Sequence, residues 1–218
     1  MKSKDFSALG KKLLPYLPNY RVKGALIFAE PIDHILRGIS FDSSSHSATS
    51  FYIHVFFQPL CVPVQFMHWT FGERLRDMNN IDGWYSDRPN LVSDIGEALV
   101  AKALPFLDRV GTLEGAAEAA EEMGTGNSHV QEAAAYCRAL AGDTQTALSA
   151  LENIPDGLNL SVAWQAEQAS RIEQFRTLLR NDPAAAKKQL LVWEAETAQK
   201  IGLGAFWNGI TVTLYLTP

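Results

Sequence analysis

The chain has 218 residues, 47% hydrophobic and 10% aromatic, enough to fill one large core or two small ones, and this excludes a disordered chain. Its formal net charge is −5, with the acidic excess in the second half: residues 1–110 carry 12 basic and 11 acidic side chains, residues 111–218 carry 7 and 13. Neither half offers the positive face that phosphates demand, and the longest apolar stretch, 55–66, is broken by Gln58, Pro59, Pro63 and Gln65, so neither nucleic acid nor a membrane is expected as a partner.

The N-terminus, MKSKDFSALGKKLLPYLP, places Asp5, Lys11 and Lys12 where a signal peptide needs an unbroken apolar run, which points to a cytoplasmic protein. Phe6, Leu9, Leu13 and Tyr16 fall at helical spacing and predict an amphipathic helix over 3–16, ended by Pro18. From Tyr20 to Ala29 the pattern alternates and predicts a first strand, with Glu30-Pro31 as the turn. Residues 34–41 alternate again, DSSSHSATS reads as a solvated loop, and SFYIHVFFQPL reads as a long strand apolar on both faces. Val64 to Phe71 is taken as a fourth strand before the turn-rich GERLRDMNNIDGWYSDRPN.

Beyond Asn90 the period becomes helical. Ile95, Leu99, Ala103, Phe106 and Val110 form one stripe that Pro105 should kink, and Leu113 to Met123 is a second helix stopped by Gly124. Ser128-His129-Val130-Gln131 has capping-box spacing and opens a third. The stretch AAAYCRALAGDTQTALSALENIP, with its small residues and Gly142-Asp143 turn, resembles a tetratricopeptide helical hairpin over residues 129–155. No second copy follows at that family's period, so its multi-repeat peptide groove does not carry over. Two longer helices follow, the second capped by Asp182-Pro183, and Ile210, Val212, Leu214 and Leu216 alternate in a closing strand.

A lone terminal strand cannot satisfy its own backbone, so residues 209–216 need a sheet edge, within this chain or in a second copy that would make a homodimer. The expected architecture is therefore α+β: an antiparallel sheet with the N-terminal helix on one face and the C-terminal helices on the other. The segments are 1–110 for the sheet region, 111–204 for a helical region docked on it, and 205–218 for the returning or exchanged strand, all forming one integrated unit.

Chemistry is sparse. Cys61 and Cys137 stand far apart in the chain and read as buried thiols in a reducing compartment. His54, among aromatic neighbours, reads as a neutral core histidine, with a general base in a cleft as the alternative. His34, His46, His54 and His68, with Asp33, are the candidates for a metal site on a folded hairpin, but no H-x-H or HExxH spacing fixes two ligands on one face. Arg37 shares the row of Ile35, Ile39 and Phe41, so its guanidinium needs Asp33, Glu30 or another carboxylate. Arg74 and Arg76 invite the same question. No P-loop, nucleophile elbow or dinucleotide fingerprint occurs, and no cofactor is expected.

Two functions fit this pattern. One is a non-catalytic interaction protein, an adaptor, accessory subunit or inhibitor of another protein. The other is a small-molecule enzyme, performing hydrolysis or proton transfer, whose pocket gathers Arg37, His54 and His68. In the second case those three residues converge on one cavity; in the first they are dispersed.

Overall fold

The structure is a computed structural model and describes residues 3–45, 47–124 and 126–209. The fold is α+β, and the chain divides into two compact units. The first holds the chain up to Ile32 together with Leu36–Gln58 and His68–Gly111; the second holds Asp33–Ile35, Pro59–Met67 and the chain from Thr112 onward.

In the first unit, helix α1 (Ser3–Leu13) buries Phe6, Leu9 and Leu13, leaves Lys11 and Lys12 in its last turn, and tightens into a 3-10 turn at Leu14–Tyr16. Where one strand is expected over 20–29 there are two: β1 (Tyr20–Lys23) and β2 (Leu26–Ala29) form an antiparallel hairpin, with Tyr20 opposite Ala29 and Lys23 opposite Leu26. The reason is Gly24, which opens the two-residue turn at φ 62°, a conformation that glycine adopts without steric cost. After the Glu30-Pro31 turn come β3 (Ile35–Ser43) and β4 (Ser50–Pro59).

Strand β4 lies inside the sheet. On one side it adjoins β3, and on the other it pairs antiparallel with β5 (Gly72–Arg74) and β6 (Trp84–Tyr85). The strand expected at Val64–Phe71 is not formed; its place is taken by β5, which sets Gly72 opposite Phe56. Only glycine allows that approach, because a Cβ at position 72 would stand 2.6 Å from the Val55 carbonyl oxygen.

One face of β4 presents Phe51, Ile53 and Val55 to a dry core shared with α1 and with the helical stretch 91–109. Phe6 stacks on Phe41 at 5.3 Å between ring centroids and meets Phe51 edge-on at 5.7 Å, which fixes α1 over this face. On the opposite face, Trp69 stacks along His54 and packs edge-on against Phe56, while the Arg74 guanidinium covers the Tyr52 ring.

The helical stretch is α2 (Leu91–Ala98), a π-helical turn (Leu99–Ala103) and α3 (Leu104–Arg109). Pro105 lacks the N–H that an α-helix would send to the carbonyl of residue 101. The chain absorbs this with one wider turn, in which the Leu104 amide donates to the Leu99 carbonyl.

The second unit is helical: α4 (Leu113–Glu122), α5 (Ser128–Ala141), α6 (Thr144–Glu152), α7 (Ala163–Asn181) and α8 (Pro183–Lys200). Gly142 closes α5 at φ 93°, Asp143 caps α6 by accepting from the Thr146 amide, and Asp182 caps α8 by accepting from the Ala185 amide. Alanines 116, 117, 120, 133 and 135 are buried between the helices, and Tyr136, Phe175 and Trp193 form an aromatic cluster joining α5, α7 and α8. Leu60, Cys61 and Val62, which follow β4 in the chain, are fully buried in this unit, and the Thr197 hydroxyl donates to the Val62 carbonyl at 3.3 Å.

Among the described residues no helix is long and apolar enough to cross a membrane. The strand expected at 209–216 lies, from Ile210 on, outside the described residues.

Candidate functional site

Each residue singled out in the sequence has its own surroundings. Arg37 is held at the C-terminal end of α3, where its Nη1 donates to the Leu107 carbonyl at 2.6 Å and reaches Asp108 at 3.4 Å. Its carboxylate is thus Asp108 rather than Asp33 or Glu30, and Glu30 instead binds Arg21 at 2.7 Å. His54 stacks on Trp69 with ring centroids 5.8 Å apart and lies 3.9 Å from Asp42; burial pushes its pKa below the usual histidine range. The ring of His68 packs against Phe71.

His34 belongs to the second unit, where Nδ1 meets the Glu194 carboxylate at 2.9 Å. That hydrogen bond raises the His34 pKa, and burial raises that of Glu194, which is only 1% exposed. His46 lies outside the described residues. Among the described residues no three His, Cys, Asp or Glu side chains are grouped to hold a metal ion. Arg37 binds the end of α3, His54 stacks on Trp69, His68 packs on Phe71, and none of them lines the cavities described below.

A different group of residues comes together in the first unit. A cavity of about 470 Å³ has Val55, Leu75, Ala103 and Phe106 as its apolar wall and Arg74, Arg76 and Lys102 as its cations, with Glu73 as the one carboxylate. Three elements build it. β5 and the residues after it deliver Arg74 and Arg76, the π turn delivers Lys102, and the loop 77–82 forms the rim. The Arg74 guanidinium is taken up by Asp82 at 3.1 Å and by the Tyr52 ring, which leaves Arg76 and Lys102 against Glu73 and makes this a locally positive hollow on a chain of net charge −5.

The rim is rigid for an identifiable reason. Asp77, 3% exposed, sits beneath the loop and accepts through Oδ1 from the amides of Asn79 at 2.8 Å and Ile81 at 3.0 Å. Its Oδ2 takes a hydrogen bond from Arg88 at 3.2 Å, and its main-chain carbonyl takes one from Lys102 Nζ at 2.5 Å. The Ile81 amide, followed by Arg88, holds the Asp77 carboxyl below the usual carboxylate range. Trp84 ties down Leu75, two positions before Asp77, by donating from its indole to the Leu75 carbonyl at 3.0 Å. On this frame stand two apolar side chains turned to solvent, Met78 at 57% and Ile81 at 54% exposure.

Arg74 and Arg76 are flagged by the sequence as arginines after a strand; Lys102 and Asp77 are not. Lys102 reads as a solvent-facing lysine on an amphipathic helix, and Asp77 as one more turn residue in RLRDMNNIDG. The available signal is Pro105 within the helical stripe, since a proline inside a helix has to be absorbed by a kink or a wider turn, and a π turn re-aims the side chains just before it. Comparison with family models, with characterised proteins and with solved structures finds no match to this chain.

Proposed function

We propose that this is a non-catalytic interaction protein of the cytoplasm that docks an acidic segment of another protein at the hollow whose cations are Arg76 and Lys102. The observation that carries this reading is the loop 77–82: a buried, fully hydrogen-bonded aspartate holds Met78 and Ile81 out in water beside a surplus of positive charge. Exposed apolar side chains on a pre-organised frame bind with little ordering cost, and adjacent cations select and steer an acidic partner. The reducing location is supported by two buried, unbridged cysteines. The enzyme alternative has less support, because Arg37, His54 and His68 each serve a local packing or hydrogen-bonding role.

A random peptide display library selected on the full chain tests the reading. Enriched peptides are expected to combine acidic residues with one or two large apolar ones, and their binding is expected to fall at least tenfold on Arg76→Glu and on Met78→Ala. Enrichment of peptides that bind both variants as well as the wild type would remove the site from consideration.

A further inference from the structure

The second unit carries a cavity of a different character. It lies where the N-terminal ends of α5 and α7 and the loop after α6 meet, encloses about 560 Å³, and is lined by Asn127, Ser128, Gln131, Asn153 and Gln165 together with His129 and Trp164. That volume falls within the range of small-ligand sites. A fifth of the chain is charged, yet no lining residue carries a fixed charge.

Two features show that the walls are built rather than incidental. First, the Ser128 hydroxyl donates to Gln168 Oε1 at 2.9 Å, Gln168 Nε2 donates to Glu132 at 2.9 Å, and Arg171 clamps both Glu132 oxygens at 2.7 and 2.9 Å. Gln168 and Glu132 are 1% and 0% exposed, so the Ser128 wall is braced by a buried, paired network. Second, the imidazole of His129 lies nearly parallel to the Trp164 indole, 5.4 Å between centroids and 16° between planes, while Trp164 remains 49% exposed. The imidazole thus covers one face of the indole, and half of Trp164 stays exposed at the cavity.

We infer that this cavity is a binding site for a neutral saccharide. An anion would meet no cation on the wall, a cation no carboxylate, and a purely apolar ligand would offer nothing to the Gln131 and Asn153 amides or to the NH₂ groups of Asn127 and Gln165. A sugar ring satisfies both halves of the wall: its C–H face lies on the indole, and its hydroxyls, each donor and acceptor, match the amides. The Asn127 and Gln165 carbonyl oxygens already accept from the His129 and Asn159 amides, so what these two side chains have left to offer a ligand is their NH₂ groups, as donors. A nucleobase held between two rings is disfavoured, because His129 already occupies one side of Trp164. This site belongs to the second unit and the docking hollow to the first, and either reading can fail without the other.

The test uses the full chain labelled with ¹⁵N and follows the Trp164 indole N–H, assigned with Trp164→Phe. The probes are the methyl glycosides of glucose, galactose, mannose and N-acetylglucosamine and their disaccharides, with adenosine, inorganic phosphate and a blocked trialanine peptide as competing chemistries. At least one saccharide is expected to shift the Trp164 indole and the Gln131 and Asn153 side-chain amides. Its affinity should drop at least tenfold in Trp164→Ala and less in Trp164→Phe. Asn153→Ala, on the opposite wall, should weaken binding as well and serves if Trp164→Ala does not fold. The inference is overturned if no saccharide at about 10 mM moves the indole, if the Gln131 amide shift is undiminished in Trp164→Ala or the indole shift is undiminished in Asn153→Ala, or if adenosine, phosphate or the peptide binds more tightly than every sugar.

Discussion

The Lys102 ammonium donates to the main-chain carbonyl of Asp77 at 2.5 Å, so a lysine in a π turn and an aspartate 25 positions earlier close the same loop from opposite ends. Asp77 holds that loop by its side chain as well, and the two bonds together decide where Met78 and Ile81 stand.

Asp77→Asn tests this frame. The amide keeps one acceptor but loses the charge that binds Arg88, and the expected cost near neutral pH is about 1–3 kcal/mol in urea unfolding. The sign follows from the lowered pKa: the carboxylate stabilises the fold above its unfolded pKa and loses that contribution as pH falls through the folded value. The gap between wild type and variant should therefore narrow below pH ~4. Hydrogen exchange across residues 77–82 should accelerate in the variant.

Glu132 and Arg171 call for a double-mutant cycle. Arg171→Ala leaves a fully buried carboxylate without its cation, and the expected loss of stability is about 3 kcal/mol or more. Replacing both residues with Met should recover most of it, because the penalty lies in the orphaned charge rather than in the missing bond. Equal destabilisation by the single and double variants would contradict this account of the pair.

The His34–Glu194 pair makes part of the stability depend on pH. The folded pKa of His34 is raised, so its contribution is fully present below its unfolded value of about 6.5 and is lost as pH rises through the folded value. The buried Glu194 carboxyl is raised too, which acts in the same direction. Glu194→Gln should thus be most destabilising near pH ~6 and should approach the wild type by pH ~9, once His34 is neutral in both. Thermal melts at the two pH values provide the comparison, and a gap that widens on going alkaline would contradict the pairing.

The second unit is discontinuous, which yields a further expectation. A fragment beginning at Thr112 lacks residues 33–35 and 59–67, and with them the partner of the buried Glu194 and the core side chains Leu60, Cys61 and Val62. Expressed alone, it should keep helical circular dichroism but melt without cooperativity and expose Cys137 to thiol reagents. In the full chain Cys137 is buried, and burial beside it pushes the Cys61 thiol well up.

What was legible in the sequence follows from how local its physics is. Helices α7 and α8 carry their apolar stripe and the Asp182-Pro183 cap within a few residues, and β4 declares itself by apolar side chains on both faces. The β1–β2 hairpin was hidden because Gly24 interrupts an alternation that otherwise runs unbroken from Tyr20 to Ala29. β5 was displaced because the apolar run 64–71 looks more strand-like than Gly72–Arg74, whose pairing rests on a backbone approach only glycine permits. The candidate site was half visible: Arg74 and Arg76 stand out beside a strand, whereas Lys102 and Asp77 acquire their meaning from each other.

Site-specific photo-crosslinking in the source cell tests the docking reading most directly, with p-benzoylphenylalanine placed at Met78 and, as a control on an exposed face of α8, at Lys188. The expected result is a polypeptide adduct from position 78 alone, attached through an acidic segment and lost when Arg76 is changed to Glu. An adduct formed equally from position 188, or one that survives Arg76→Glu, would contradict it.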